Sequence, residues 1–217
     1  VYIPLGDFTG SSFYGDGGFY LEHASGNDGK YNTGVGIGAL SANTTGYRNV
    51  ASGYQSLYKN TIGRNNIASG YQSLFENTSG NNNIASGYQS LYSNISGEHN
   101  IASGYQSLFE NISGGDNIAS GYQSLHLNTT GNHNIASGRE SLRSNTTGSH
   151  NVAIGFQSGR YIANGSTANQ TSGTSIYIGG NTKALADGGA NEIVIGHDAI
   201  GHGSNTVTLG NALVTKT

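Results

Sequence analysis

The chain has 217 residues, of which 36 are glycine, with 10% charged and 34% hydrophobic residues, a net charge of −3 and no cysteine. Ordinary domains carry about 25% charged and about 45–50% apolar residues, so this sequence cannot fill a wide single-chain core. Two solutions remain: a thin core stacked along an axis, or a core shared between chains. The same figures exclude disulfides and thiolate metal sites, give no basic footprint for nucleic acid, and leave no apolar run of the roughly 18 residues expected of a membrane helix.

Residues 1–31 are rich in aromatics and glycine and hold Pro4, the single proline. Short strands are expected at 1–5 and 18–21, broken at Gly and Asp, in a segment that leads into or caps the rest of the chain. No signal peptide opens the chain and no initiator Met is present, so it reads as part of something longer.

Residues 32–151 repeat one 17-residue phrase, N-[IV]-A-S-G-Y-Q-S-L-[YF]-x-N-[TI]-[ST]-G-x-x, seven times, from Asn32, Asn49, Asn66, Asn83, Asn100, Asn117 and Asn134, with a restart at Asn151. Periodicity without slippage marks a quasi-one-dimensional stack. Glycine recurs twice per unit and the apolar spacing does not follow 3.6, so helix is excluded. Each unit is expected to be two short strands and two turns, with a corner at the central glycine that lets Ile67 and Leu74 both face inward. The fold class is therefore all-β, a parallel β-solenoid or β-roll, with coils about 4.8 Å apart.

In such a stack each repeat position becomes a ladder. Ile67, Ile84, Ile101, Ile118 and Ile135 make one apolar ladder, Leu57, Leu74, Leu91, Leu108 and Leu125 another. Asn60, Asn77, Asn94, Asn111 and Asn128 make an amide ladder that satisfies turn backbone. Residues 152–217 keep the phrase but change its beat: a polar insertion at 159–173, then Ile176, Ile193 and Val207 opening later strands, the last step being 14 residues. In those strands Val194 alternates with Ile193 and Ile195. A strand apolar on both faces is buried on both, which a thin coil cannot do alone. A three-fold bundle of chains would supply the missing cover.

The closing segment NEIVIGHDAIGHGSNTVTLGN resembles the head repeats of YadA-like trimeric autotransporter adhesins, which carry N-x-[VI]-x-[IL]-G followed by small residues and a further Gly. The 17-residue array resembles bacteriophage tail-fibre repeats of the kind N-T-A-x-G-Y-Q-[SA]-L-x-x-N-T-T-G. The likeness spans about residues 32–211. It implies a homotrimer of left-handed β-rolls, a place on a virion tail fibre or other extracellular surface, and no cofactor. Its partners would be further copies of itself, other fibre or tail proteins, and a host cell-surface glycan or protein. A bacterial adhesin head and a polysaccharide-cleaving tailspike are the alternatives.

Four rows are candidate sites. Tyr54, Tyr71, Tyr88, Tyr105 and Tyr122, with Tyr58, Phe75, Tyr92 and Phe109 beside them, offer either a glycan-binding face or inter-coil and inter-chain stacking. Asn82, His99, Asp116, His133 and His150 share one turn phase with metal-ligand chemistry, but at a variable position where Arg48 and Asn65 also occur. Thr44, Thr78, Thr129 and Thr146 begin a hydroxyl strip interrupted by Ile62, Ile95 and Ile112. Glu76 and Glu110 share a phase but stand two coils apart, too far for a carboxylate pair. The expectation is a structural, non-enzymatic protein without a metal, whose specificity lies where the repeat fails, at 1–31 and 159–173.

Overall fold

Each repeat closes one coil, and the coils stack in sequence order. The computed structural model describes residues 31–214 and the short strand β1 (Phe19–Tyr20); the strand expected at 1–5 lies outside the described residues. β1 pairs antiparallel with β2 (Thr33–Val35). From β2 the sheet runs strictly parallel through β3 (Val50–Ser52), β4 (Ile67–Ser69), β5 (Ile84–Ser86), β6 (Ile101–Ser103), β7 (Ile118–Ser120) and β8 (Ile135–Ser137). It continues through β9 (Val152–Ile154), β10 (Ile176–Ile178), β11 (Glu192–Ile195) and β12 (Thr206–Leu209). Register is exact to the repeat: Ile67 faces Ile84, and Ile84 faces Ile101. The chain is a parallel β-solenoid without helix among the described residues.

Two expectations need correction. Each array coil contains one three-residue strand, not two. The remainder is turns, which still bond coil to coil: Leu74 N donates to Ser90 O at 3.0 Å, and Glu76 N to Tyr92 O at 2.9 Å. The second correction concerns Ile67, Ile84, Ile101, Ile118 and Ile135. They form a ladder, but on the outside, each 39–45% exposed, while Ala68, Ala85, Ala102, Ala119 and Ala136 between them are fully buried. The asparagine that opens each strand fixes this phase. Asn66 points inward and is fully buried, so alternation sends Ile67 out and Ala68 in. Leu57, Leu74, Leu91, Leu108 and Leu125 do occupy the interior, at 0% exposure.

The core is thus one Ala and one Leu per coil, and polar ladders supplement it. Asn94 Nδ2 donates to Asn77 Oδ1 at 2.8 Å and to Gly97 O at 3.0 Å, and Asn94 Oδ1 accepts from Asn111 at 2.8 Å. The strand-opening asparagines build a second ladder. Asn83 Nδ2 crosses the coil to Gly97 O at 2.8 Å, and its Oδ1 accepts the Asn100 backbone N–H at 3.0 Å. Both rows are buried, so every rung replaces water that the narrow interior excludes.

The leucine of each array coil has a left-handed backbone, for example φ 51° at Leu74 and Leu91, as does the preceding glutamine, φ 51° at Gln72. Such a conformation costs about 1–2 kcal/mol for a non-glycine residue, which burial of a leucine at about 1.5–3 kcal/mol offsets. At the corner itself only glycine serves: Gly87 has φ +135°, and a Cβ there would lie 2.5 Å from Gly104 O.

The regular step ends after β9. The distance in sequence from Val152 to its partner Ile176 is 24 residues, because residues 161–168 leave the coil as a small hairpin, with Tyr161 bridging Ala168. Asn164 Oδ1 accepts the N–H groups of Ser166 and Thr167 at its tip. Inside, two substitutions compensate each other. Gly159 stands where the array has leucine, and Tyr177 stands where it has alanine; the Tyr177 ring occupies the vacated space, within 2.7 Å of where a Gly159 Cβ would sit.

Candidate functional site

Three rows line the outer face of the sheet and its corner: isoleucine, serine and tyrosine, read from β4 as Ile67, Ser69 and Tyr71, all exposed. Val50 at 42% joins the isoleucine row. The strands from β3 to β8 carry no charged residue, and the first charge on this face is Arg139, at the corner after β8.

The tyrosine row is a continuous stack. Tyr54, Tyr71, Tyr88, Tyr105 and Tyr122 have ring centroids 5.0–5.2 Å apart and planes within 14° of parallel. Arg139 takes the next rung and lies 5.4 Å over Tyr122 and 5.8 Å over Phe156. Tyr58, Phe75, Tyr92 and Phe109 form the second stack at 5.1–5.2 Å, prolonged by His126. In both, the ring faces are taken up by neighbouring rings, leaving edges and hydroxyls outward. A sugar packs on a ring face, so the interior rungs cannot serve as sugar platforms; inter-coil stacking is what the geometry realises.

His126 is buried, with 8% of its surface exposed, and shares a 3.0 Å hydrogen bond between Nδ1 and Gln106 O. Burial, opposed by that carbonyl, lowers its pKa from the ordinary histidine value.

The histidine row is an exposed one-dimensional file. His99 Nδ1 and His133 Nδ1 lie 3.7 and 3.9 Å from the Asp116 carboxylate, and His133 stacks on His150 at 4.8 Å. Among the described residues no three His, Cys, Asp or Glu side chains converge on a metal-sized point. The threonine strip spends its protons on the rod: Thr44, Thr78 and Thr129 hydroxyls donate to the next coil's carbonyls at 2.8–3.1 Å. Glu76 is ion-paired with Lys59 at 2.7 Å and Glu110 is exposed two coils away.

A third stack, of glutamines, went unread in the sequence. Gln72, Gln89, Gln106 and Gln123 each donate Nε2 to the Oε1 of the rung before at 2.9–3.0 Å. Glu140 then replaces glutamine, and its Oε2 accepts from Gln157 Nε2 at 2.6 Å and from Arg160 Nη1. The signal was present: the phrase Tyr-Gln becomes Arg139-Glu140, and a compensating Arg160 comes 20 residues after Glu140.

Comparison with protein-family models, with curated proteins and with solved structures returns no match, so the class of this chain is defined by its fold, a parallel β-solenoid.

Proposed function

We propose that this chain is a shaft segment of a homotrimeric fibre, of the kind carried by phage tail fibres and related virion appendages, that serves attachment to a host surface. The observation that carries the reading is the outer isoleucine row, Val50 to Ile135, six rungs of large apolar side chains held in register at 39–45% exposure. An apolar strip this long and regular calls for a partner, and a second and third copy present the same strip with the same period. Association of this kind makes a stiff rod, which suits spacing or display of a receptor-binding part better than turnover. Two glutamates support a non-catalytic role, since Glu76 and Glu140 are committed to Lys59 and Arg160.

Sedimentation equilibrium tests the assembly: the expected mass is three times the 22.4 kDa of one chain. A folded monomer at tens of micromolar would refute the bundle. Retention of labelled trimer on host cells, competed by unlabelled trimer, tests attachment; equal retention of a heat-denatured control would refute it.

A further inference from the structure

The place where the array breaks holds a cleft of about 240 Å³, lined by Gln157, Tyr161, Gly165, Asn181 and Lys183. It forms because the hairpin at 161–168 arches beside the glutamine row just as that row fails. Asn181 occupies the rung after Gln157, its backbone N–H bonding Phe156 O as each glutamine does upstream, with φ 54° like theirs. Its side chain is one methylene shorter, and it makes no hydrogen bond to Gln157. Gln157 cannot turn its amide to compensate, because Nε2 is held by Glu140 at 2.6 Å. Gln157 Oε1 is therefore a fixed acceptor with no donor among the described residues, and Gln157 and Asn181 both line the cleft.

Lys183 supplies the charge. It holds the rung position of the array's buried leucine, yet its φ is not left-handed, and it lines the cleft instead of the core. Its Nζ donates to Asn181 O at 3.1 Å and has no carboxylate within salt-bridge distance among the described residues. The nearby acids are engaged elsewhere: Glu140 with Arg160, and Asp198, one rung beyond Asn181, with His197 at 3.1 Å. The Gly165 backbone approaches the Lys183 stem, and the Tyr161 phenol closes the side.

We propose that this cleft binds a carboxylated sugar residue, a uronic or sialic acid unit of a surface polysaccharide. Lys183 meets the carboxylate. The Asn181 amide and Gln157 Oε1 meet adjacent hydroxyls, which both donate and accept. Acetate offers no donor to Gln157 Oε1, phosphate offers only a P–OH on the same small tetrahedron that must meet Lys183, and a neutral sugar leaves Lys183 without a counter-charge. The volume lies below the roughly 300–1,000 Å³ of drug-sized sites and suits one small polar unit. This inference rests on the attachment reading and gives it a specific ligand class.

Saturation-transfer NMR on the full chain tests it, with galacturonate, glucuronate and N-acetylneuraminate against galactose, acetate and phosphate. At least one acidic sugar is expected to bind at least tenfold more tightly than galactose, and not to be displaced by equimolar acetate or phosphate. Lys183→Ala should lose that binding at least tenfold. Asn181→Gln should lose it as well, by restoring the amide rung and filling the cleft. Binding by none of the acidic sugars, displacement by the simple anions, or unchanged binding in the Asn181→Gln protein would each overturn the site. A failed sugar panel with trimer and cell retention intact removes the site alone; a monomer that still binds the sugar removes the bundle alone.

Discussion

Replacing Asn94 by aspartate changes one nitrogen to oxygen and should be worse than deleting the side chain. Asn94 Nδ2 faces two acceptors, Asn77 Oδ1 at 2.8 Å and Gly97 O at 3.0 Å, in a fully buried row. Asn94→Ala removes those two bonds and the one accepted from Asn111, at about 1 kcal/mol each, so a loss of about 3 kcal/mol is expected. Gly97 O keeps the Asn83 amide at 2.8 Å, which limits the damage. Asn94→Asp instead sets a carboxylate against both acceptors. The uncompensated buried charge adds about 3–5 kcal/mol until the group protonates. Its folded pKa is therefore raised above the unfolded value of about 3.9. The sign comes from linkage: the aspartate protein loses stability as pH rises from about 4 through the raised folded pKa, and regains it on acidification. The assay is urea unfolding of wild type, Ala and Asp proteins between pH 4.5 and 7.5, with hydrogen exchange at the coils of Asn77, Asn94 and Asn111, because a stack need not melt as one unit. An aspartate protein as stable as the alanine protein at pH 7, or an Asp-to-Ala difference flat with pH, would refute the account of the ladder.

The same geometry makes three further outcomes testable. Gly87→Ala should collapse the middle of the array, since its Cβ would meet Gly104 backbone at 2.5–2.8 Å at a φ of +135°; limited proteolysis should cut there, and an unaltered digestion pattern would count against it. His126→Phe should remove part of the acid sensitivity. A histidine with a lowered folded pKa costs stability as pH falls below its unfolded pKa of about 6.5, and the loss levels off below the folded pKa; unchanged melting curves from pH 7 to pH 5 in the variant relative to wild type would contradict this. Ile101→Lys should leave the single-chain fold within about 0.5 kcal/mol, as surface changes do, yet dissociate the proposed bundle, and a variant that still sediments as a trimer would place the interface elsewhere.

Periodicity made much of this architecture readable. The 17-residue step became the strand register, the Leu and Asn rows lie in the interior, and the break at 159–173 is where the coil opens. The isoleucine row was misplaced because hydrophobicity argues for burial, while the phase is set by the buried Asn66 and its equivalents. With a leucine arriving from the opposite side, the strand has room only for alanine. The second strand was expected because a corner at Gly70 would let Ile67 and Leu74 both face inward, but left-handed backbone at Gln72 and Leu74 is invisible to a spacing argument. The cleft was hidden for another reason: it depends on one methylene, Asn181 in a glutamine's rung, and on the direction in which Lys183 leaves the chain.

The sameness of the rungs has a cost in addressing. A coil that docks one whole repeat out of place meets nearly the same alanine, leucine and asparagine neighbours, so within the array the error is almost invisible to the core. What identifies a coil to its proper neighbour is the set of odd residues: Lys59 against Glu76, Arg139 capping Tyr122, Glu140 between Gln157 and Arg160, and the one oversized step to Ile176. These departures act as page numbers in a book of identical pages. Erasing them, by making every unit match the consensus, would yield a chain that stacks well and miscounts its own coils.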